Sequence, residues 1–338
     1  MRRGWIAAML VAAAALSGAT ASAAEKLRIG VLRLASSGPV FVAEDKGYFA
    51  AEGLEVELKF FDAAQPVAVA TVSGDIDIGV TGLTAGFFNL AGKGALRIVA
   101  AQSREEPGYH LNAYVVSKQA YDAGLKSLAD LPNHSIAITQ VGSTFHYSLG
   151  LIADKLHFPL SSLKLVPLQS LPNMASALKG GQVDAAVMPA TVAQPLIDAG
   201  DVKLLGWVGD ETPWQLGAIF TTQRSIDERK PAVAAAIRAY QKGARDFYDA
   251  FLKKGTDGKP ADGPGAPAIL AIVSKFTGIA PEKIRGGIPY VDPDARLLVR
   301  DVYNQIAWYQ AQGLVDKDVE AKSILDLTFV QGHYDVPK

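Results

Sequence analysis

Apolar and polar positions along this chain fall into short blocks whose order repeats. Leu27 to Leu32 is a mostly apolar run, as in a strand buried on both faces. The Ser-Ser-Gly-Pro turn at residues 36–39 leads into a helix expected from about Pro39 to Ala51. From Leu54 to Phe60 apolar and charged residues alternate one for one, the period of a half-buried strand. A helix from about Gln65 to Val72 and a buried strand from Ile76 to Val80 complete a βαβαβ unit. A shift of 107 positions brings the same order round again. Ser135 to Thr139 is a strand, Gly142, Ser143 and Thr144 open a helix, and Leu163 to Val166 is a strand. Asn173 to Lys179 is helical, and Val183 to Val187 is the last strand of the second unit. The shift carries Ile29 onto Ile136, Ser36 onto Ser143 and Ser37 onto Thr144 without gaps. It also carries Gly74 onto Gly181, Asp77 onto Asp184 and Thr84 onto Thr191. These matches cluster at turns and strand starts, where backbone geometry is most demanding.

The repeat predicts an α/β fold of two lobes, each a mostly parallel sheet with helices on both faces. Two β-rich stretches, Ala113 to Ser117 and Leu216 to Thr222, read as an outgoing and a returning crossover. Lobe 1 is therefore expected to hold residues 24–112 and 223–338, and lobe 2 residues 113–222, with hinges near 113–117 and 216–222. Beyond Thr222 the pattern is helical, from Pro231 to Leu252, Ala268 to Phe276 and Asp294 to Gln312. These helices are expected to pack on lobe 1. Gly255 to Gly265 is a turn-rich loop.

Composition sets limits on partners and compartment. The 338 residues carry 33 Lys and Arg against 34 Asp and Glu, so no basic surplus marks a nucleic-acid binder. There is no cysteine, which excludes disulfides, thiolate metal sites and a cysteine nucleophile. Arg2 and Arg3, the apolar run Ile6 to Leu16 and the small-residue stretch Ala21, Ser22, Ala23 have the form of a secretory signal peptide. Residues 1–23 are expected to be removed by cleavage near Ala23, and without cysteine no lipid anchor follows. The expected location is the periplasm.

Catalytic arrangements are scarce. The chain has no Gly-x-Ser-x-Gly elbow, Walker loop or His-Glu-x-x-His motif. Its five histidines lack ligand spacing, so no metal and no cofactor are expected. Asp77 and Asp184, at strand starts, read as partners of turn amides. Gly92 and Gly94 read as a helix C-cap. What stands out is a set of small polar loops at strand ends, where open α/β sheets bind ligands. These are Arg33 to Gly38, Thr81 to Thr84, Gln140 to Thr144 and Met188 to Thr191. Three run into helices at Ser36 and Ser37, at Leu83 and Thr84, and at Ser143 and Thr144. A helix start suits an anion, although ordinary N-capping uses the same residues. Arg33 and Arg104 stand near strand ends as candidate neutralising charges. Trp207, Trp214, Phe145 and His146 are candidates for an aromatic wall, with core packing as the alternative.

Several longer motifs carry a family resemblance. They are Leu27 to Val31, Ala43 to Val56 with its Gly-Tyr-Phe-x-x-Glu-Gly-Leu run, Ser73 to Gly82, Leu125 to Leu131 and Gly180 to Val187. With them the chain resembles the solute-binding proteins of ABC importers, in the SsuA/THI5-like (NMT1-like) branch of sulfonate, taurine, nitrate and pyrimidine receptors. The resemblance implies a type II periplasmic binding protein with two lobes, two hinge strands and closure around one small molecule. It implies a monomeric receptor and no enzyme, working with an ABC permease and ATPase. By resemblance the ligand-binding positions are Ser36, Ser37, Gly82, Leu83, Thr84, Ser143, Thr144 and Pro189, to which the residues themselves add Arg33, Phe145, His146 and Trp214. Met188, Pro189 and Ala190 stand where sulfonate receptors carry a Trp-Asp-Pro-like motif, a departure that weakens a sulfonate assignment. The absence of cysteine speaks against the cysteine-dependent pyrimidine synthases of the wider group. The ligand class expected is a small organic anion, carboxylate or sulfonate, aromatic or aliphatic. An exported α/β enzyme acting on a small organic acid, or a receptor feeding a sensor kinase, are the alternatives.

Overall fold

The computed structural model describes residues 24–337, so the expected signal peptide, residues 1–23, lies outside the described residues. Ten strands form two sheets of five. In chain order they are β1 (Glu25–Leu32), β2 (Leu54–Phe61), β3 (Ile78–Gly82), β4 (Leu96–Ala101) and β5 (Asn112–Ser117). There follow β6 (Ser135–Ile138), β7 (Lys164–Pro167), β8 (Ala185–Pro189), β9 (Val202–Trp207) and β10 (Gly217–Thr222). The sheet orders are β2-β1-β3-β10-β4 and β7-β6-β8-β5-β9.

The internal repeat extends to strand register. Ile29 pairs with Leu58 and with Ile78, and Ile136 pairs with Leu165 and with Ala185. Each of these partners is displaced by the same 107 positions. The two aspartates hold the strand starts in both lobes. Asp77 accepts the Arg28 backbone N–H at 2.7 Å, and Asp184 accepts that of Ser135 at 2.8 Å. Each N–H lies one residue ahead of the point where its ladder with β3 or β8 begins, at Ile29 and Ile136, and the carboxylate one strand over satisfies it.

The crossings lie just ahead of the segments read as hinges. The segment Ala113–Ser117 belongs wholly to the second sheet, as part of β5, antiparallel to β8 and β9. Within 216–222, β10 lies in the first sheet, antiparallel to β3 and β4. The chain therefore passes between lobes over residues 102–111 and 208–216. These two passages pair with each other. Glu105 N–H donates to the Trp214 carbonyl at 2.9 Å, and Trp214 N–H returns to Glu105 at 3.2 Å. Sequence periodicity registers the strand on arrival but not the sheet it joins.

The C-terminal helices also depart from expectation. Gln223–Phe251 and Ala266–Thr277 pack on lobe 1 around the helix Gly38–Asp45. The first begins before Pro231, which is tolerated because the backbone at Arg229 is already non-helical. The helix Val299–Ala311 does not stay on lobe 1. It joins a core that runs continuously from Phe87 and Phe88 in lobe 1 to Leu149 and Ile152 in lobe 2. Its Tyr309 hydroxyl donates to the Ser143 carbonyl at 3.0 Å. The helix expected from Pro39 to Ala51 is two helices, broken where Gly47 adopts φ +71°, a conformation that favours glycine.

Candidate functional site

Both crossings and the strand-end loops of both lobes converge on one cleft. Lobe 1 contributes Ser36, Thr81, Gly82 and Thr84, and lobe 2 contributes Thr139, Gln140, Ser143, Thr144, Phe145 and Pro189. The crossings and their ends supply Gln102, Asn112 and Leu216. Leu32, Leu34, Ala63, Ala64, Leu111 and Leu171 make the lining apolar between its hydroxyls and amides, and Asp62 stands at the exposed rim. An apolar lining with a few convergent polar groups is the character of a small-molecule site.

The lobes touch across this cleft. Ala85, at the start of the helix Ala85–Gly92, donates its N–H to the Gly142 carbonyl of lobe 2 at 2.9 Å. A Cβ built on Gly82 would stand 2.7 Å from Thr144 Cγ2, and one on Gly142 would stand 2.8 Å from Ala85 Cβ. Glycine is thus needed at both positions for the approach, and at Gly142 also for its φ of +80°.

Hydroxyls at the two helix starts divide between capping and the cleft. Thr84 Oγ1 accepts from the Phe87 N–H at 3.1 Å and donates to Gln65 Oε1. Ser143 Oγ accepts from the His146 N–H at 3.3 Å, the arrangement of an N-cap. Thr144, one residue on, has no hydrogen bond to its hydroxyl among the described residues. His146 does not line the cleft. Its Nδ1 accepts from the Gly142 N–H at 3.1 Å, its ring stands edge-on to Trp308, and burial lowers its pKa to about 4. It is a neutral brace for the loop.

Other candidates are placed elsewhere. Leu83 is fully buried in the core, and its N–H donates to the Leu216 carbonyl. Ser37 is buried behind the cleft wall with no partner for its hydroxyl. Trp214 is buried in the crossing, edge-on to Tyr147, and Trp207 stacks on His110 with ring centroids 4.0 Å apart. Of the expected aromatic wall only Phe145 lines the cleft. Arg33 donates to the Phe276 carbonyl at 2.6 Å and lies over the Phe60 ring. Arg104 pairs with Glu106 at 2.8 Å and lies over Tyr290. Neither arginine reaches the cleft, so the charge expected to meet an anion is committed elsewhere.

Sequence reasoning missed Gln102, Asn112 and Glu105. Polar side chains in the otherwise apolar approach to a crossover were the available signal. Glu105 is fully buried, and one carboxyl oxygen accepts from Asn112 Nδ2 at 2.7 Å while the other has no partner. Burial drives its pKa up to about 8, the Asn112 hydrogen bond opposing. Among the described residues no group of three or more His, Cys, Asp or Glu side chains is placed to hold a metal.

A family model described as NMT1/THI5-like matches residues 35–250, well over half of the chain. The chain belongs to the NMT1/THI5-like family. All cleft-lining residues except Leu32 and Leu34 fall inside the NMT1/THI5-like range, whereas the inter-lobe helix Val299–Ala311 lies outside it. Three solved structures share the fold. A ligand-binding component of an ABC-type import system from Staphylococcus aureus, solved with zinc, is 15% identical with a TM-score of 0.71, covering 90% of this chain and 97% of that one. The alkanesulfonate-binding protein SsuA from Xanthomonas axonopodis pv. citri, bound to MOPS, is 18% identical with a TM-score of 0.69, covering 90% and 98%. The desulfurization enzyme DSZB is 13% identical with a TM-score of 0.59, covering 90% and 97%. The fold is thus that of periplasmic binding proteins, and it also carries an enzyme. No curated protein matches the chain by sequence.

The hydroxyl geometry gives a paired prediction. Ser143→Ala removes a cap and is expected to cost about 1 kcal/mol of folding stability. Thr144→Ala removes a hydroxyl that the fold does not use, and is expected to weaken ligand binding while leaving the unfolding midpoint nearly unchanged. Urea denaturation and calorimetric titration of both variants check this. A stable Ser143→Ala protein would contradict the capping role.

Proposed function

We propose that this protein is the substrate-binding component of an ABC import system, exported to the periplasm, which closes on one small molecule and presents it to a permease and ATPase. The observation that carries the reading is the cleft itself. Repeat-related loops of two lobes face each other across buried hydroxyls and amides, and the lobes meet directly through Ala85 and Gly142. A site that closes fully around its ligand, on two paired crossings, is what capture and release require. The lining supports binding over turnover. Asp62 at the exposed rim is its one ionisable side chain, so no nucleophile and base stand together there. Among the described residues no helix is long and apolar enough to cross a membrane.

The test is closure. Small-angle scattering is expected to give a smaller radius of gyration at ligand saturation than without ligand. A ligand at a hundred times its Kd is expected to add about 2.7 kcal/mol to the unfolding free energy, and to be recovered chemically unchanged after long incubation. An identical scattering profile, or a ligand converted to product, would overturn the receptor reading.

A further inference from the structure

The hydrogen-bonding chemistry of the cleft narrows its ligand, an inference that rests on the receptor reading. Two amides stand where the crossings meet the cleft, and each has spent a donor on the protein. Asn112 Nδ2 donates to Glu105 Oε1 at 2.7 Å, and Gln102 Nε2 donates to the Ser36 carbonyl at 3.1 Å. Asn112 is 2% exposed and Gln102 3%. Among the described residues nothing donates to Asn112 Oδ1 or Gln102 Oε1, yet neither oxygen is sealed within protein. Both residues line the cleft, so both carbonyl oxygens are left for what fills it. An amide oxygen removed from water without a donor is costly, and the two together call for N–H or O–H groups on the ligand.

The opposite need arises at the helix Thr144–Lys155. Among the described residues its first two N–H groups, on Thr144 and Phe145, have no acceptor, while that of His146 is capped by Ser143. Free N–H groups at a helix start call for an acceptor. A carboxylate, sulfonate or nitrate offers acceptors alone, and an ammonium offers donors alone. An amide or urea offers both. Charge points the same way, because no Lys, Arg or His lines the cleft and its one ionisable residue is acidic. An anion taken out of water there meets no countercharge among the described residues, and the one carboxylate, Asp62, stands at the exposed rim, away from the buried amides. Leu34, Leu111, Phe145, Leu171 and Leu216 supply walls for an apolar body.

We infer that the cleft takes an uncharged solute with an amide- or urea-type head on a short apolar body. The head's N–H groups meet Asn112 Oδ1 and Gln102 Oε1, and its carbonyl meets the start of the helix Thr144–Lys155. Glu105 acts as a positioning residue, holding Asn112 with its oxygen toward the cleft.

Thermal shift and calorimetry of the purified protein against probes of matched body test this. The probes are valeramide, butylurea, valerate, butane-1-sulfonate and butylamine. Valeramide and butylurea are expected to raise the melting temperature with dose, and their affinity is expected to change less than about twofold between low and high salt. Asn112→Leu and Gln102→Leu are each expected to weaken amide binding about tenfold. Asn112→Ala and Gln102→Ala, which keep less apolar bulk in the wall, serve if either leucine variant fails to fold. Tighter binding of valerate, butane-1-sulfonate or butylamine overturns the neutral head and leaves the receptor reading standing. If all five probes fail but a concentrated growth-medium extract stabilises the protein, the amide head is likewise overturned. If that extract fails too, the receptor reading falls with it.

Discussion

Valine in place of Gly82 is expected to weaken ligand binding by about thirtyfold while leaving the melting temperature of the ligand-free protein close to that of the parent. Even a single Cβ at this position would stand 2.7 Å from Thr144 Cγ2, across the cleft. The two further methyl groups of valine make the overlap worse. Overpacking of this kind costs about 1–3 kcal/mol; the next neighbour, Leu216 Cδ2 at 3.4 Å, is an ordinary contact, so on the receptor reading most of the cost is expected to fall on the form in which the lobes meet. A ligand that needs the closed form then binds more weakly by the same free energy; about 2 kcal/mol corresponds to the stated factor. Gly82 is not among the residues with positive φ, so valine brings no backbone strain of its own. Calorimetric Kd values, with scattering on both proteins, check the expectation. An unchanged Kd would mean that the ligand is held without the lobe contact described here.

Glu105→Gln is expected to flatten the dependence of stability on pH. The folded protein holds the Glu105 proton up to about pH 8 because the carboxyl is buried, whereas an unfolded chain releases it near pH 4.5. Between those values the unfolded state binds fewer protons, so stability falls as pH rises. The contribution is fully present below the unfolded value and is lost as pH climbs through the folded one. Integrated from pH 5 to pH 8 at ~1.4 kcal/mol per unit, the parent is expected to lose about 3–4 kcal/mol relative to the glutamine variant. Urea unfolding of both proteins at pH 5 and pH 8 reads the difference directly, and the subtraction removes groups common to both, such as Asp301, whose pKa burial also raises. Parallel pH profiles for the two proteins would refute the assignment of a buried, protonated Glu105. Gln at this site can still accept from Asn112 Nδ2, so the cleft wall is expected to keep its shape.

The legible part of the fold was the part with local periodicity. Strict alternation from Leu54 to Phe60 and the apolar run from Leu27 to Leu32 appeared as β2 and β1 within a residue or two. The offset that aligned Ile29 with Ile136 also aligned the strands they pair with. Small polar loops were legible for the same reason. Ser36, Gly82, Thr84, Ser143, Thr144 and Pro189 all line the cleft, and Phe145 with them. Residues chosen for chemical type alone fared differently. Arg33, Arg104, His146 and Trp214 have the charge or aromaticity that suits a ligand. Each has found a partner inside the protein that the sequence does not announce.

The sequence by itself determined two βαβαβ lobes and the ends of the strands at which a ligand would lie, because side-chain period and turn chemistry act over a few residues. Tertiary structure decided which polar groups are left over for that ligand. Whether Asn112 offers an amide hydrogen or an oxygen depends on Glu105, and that depends on how deeply the crossing is buried beside Trp214. Whether the start of the helix Ala85–Gly92 is free depends on Gly142, a residue of the other lobe. The helix Val299–Ala311 joins the lobes through Tyr309 and Ser143, 166 residues apart in sequence. Hydrogen bonds between distant segments consume donors and acceptors one at a time. Only the folded chain reveals which remain, and those that remain define what the cleft can hold.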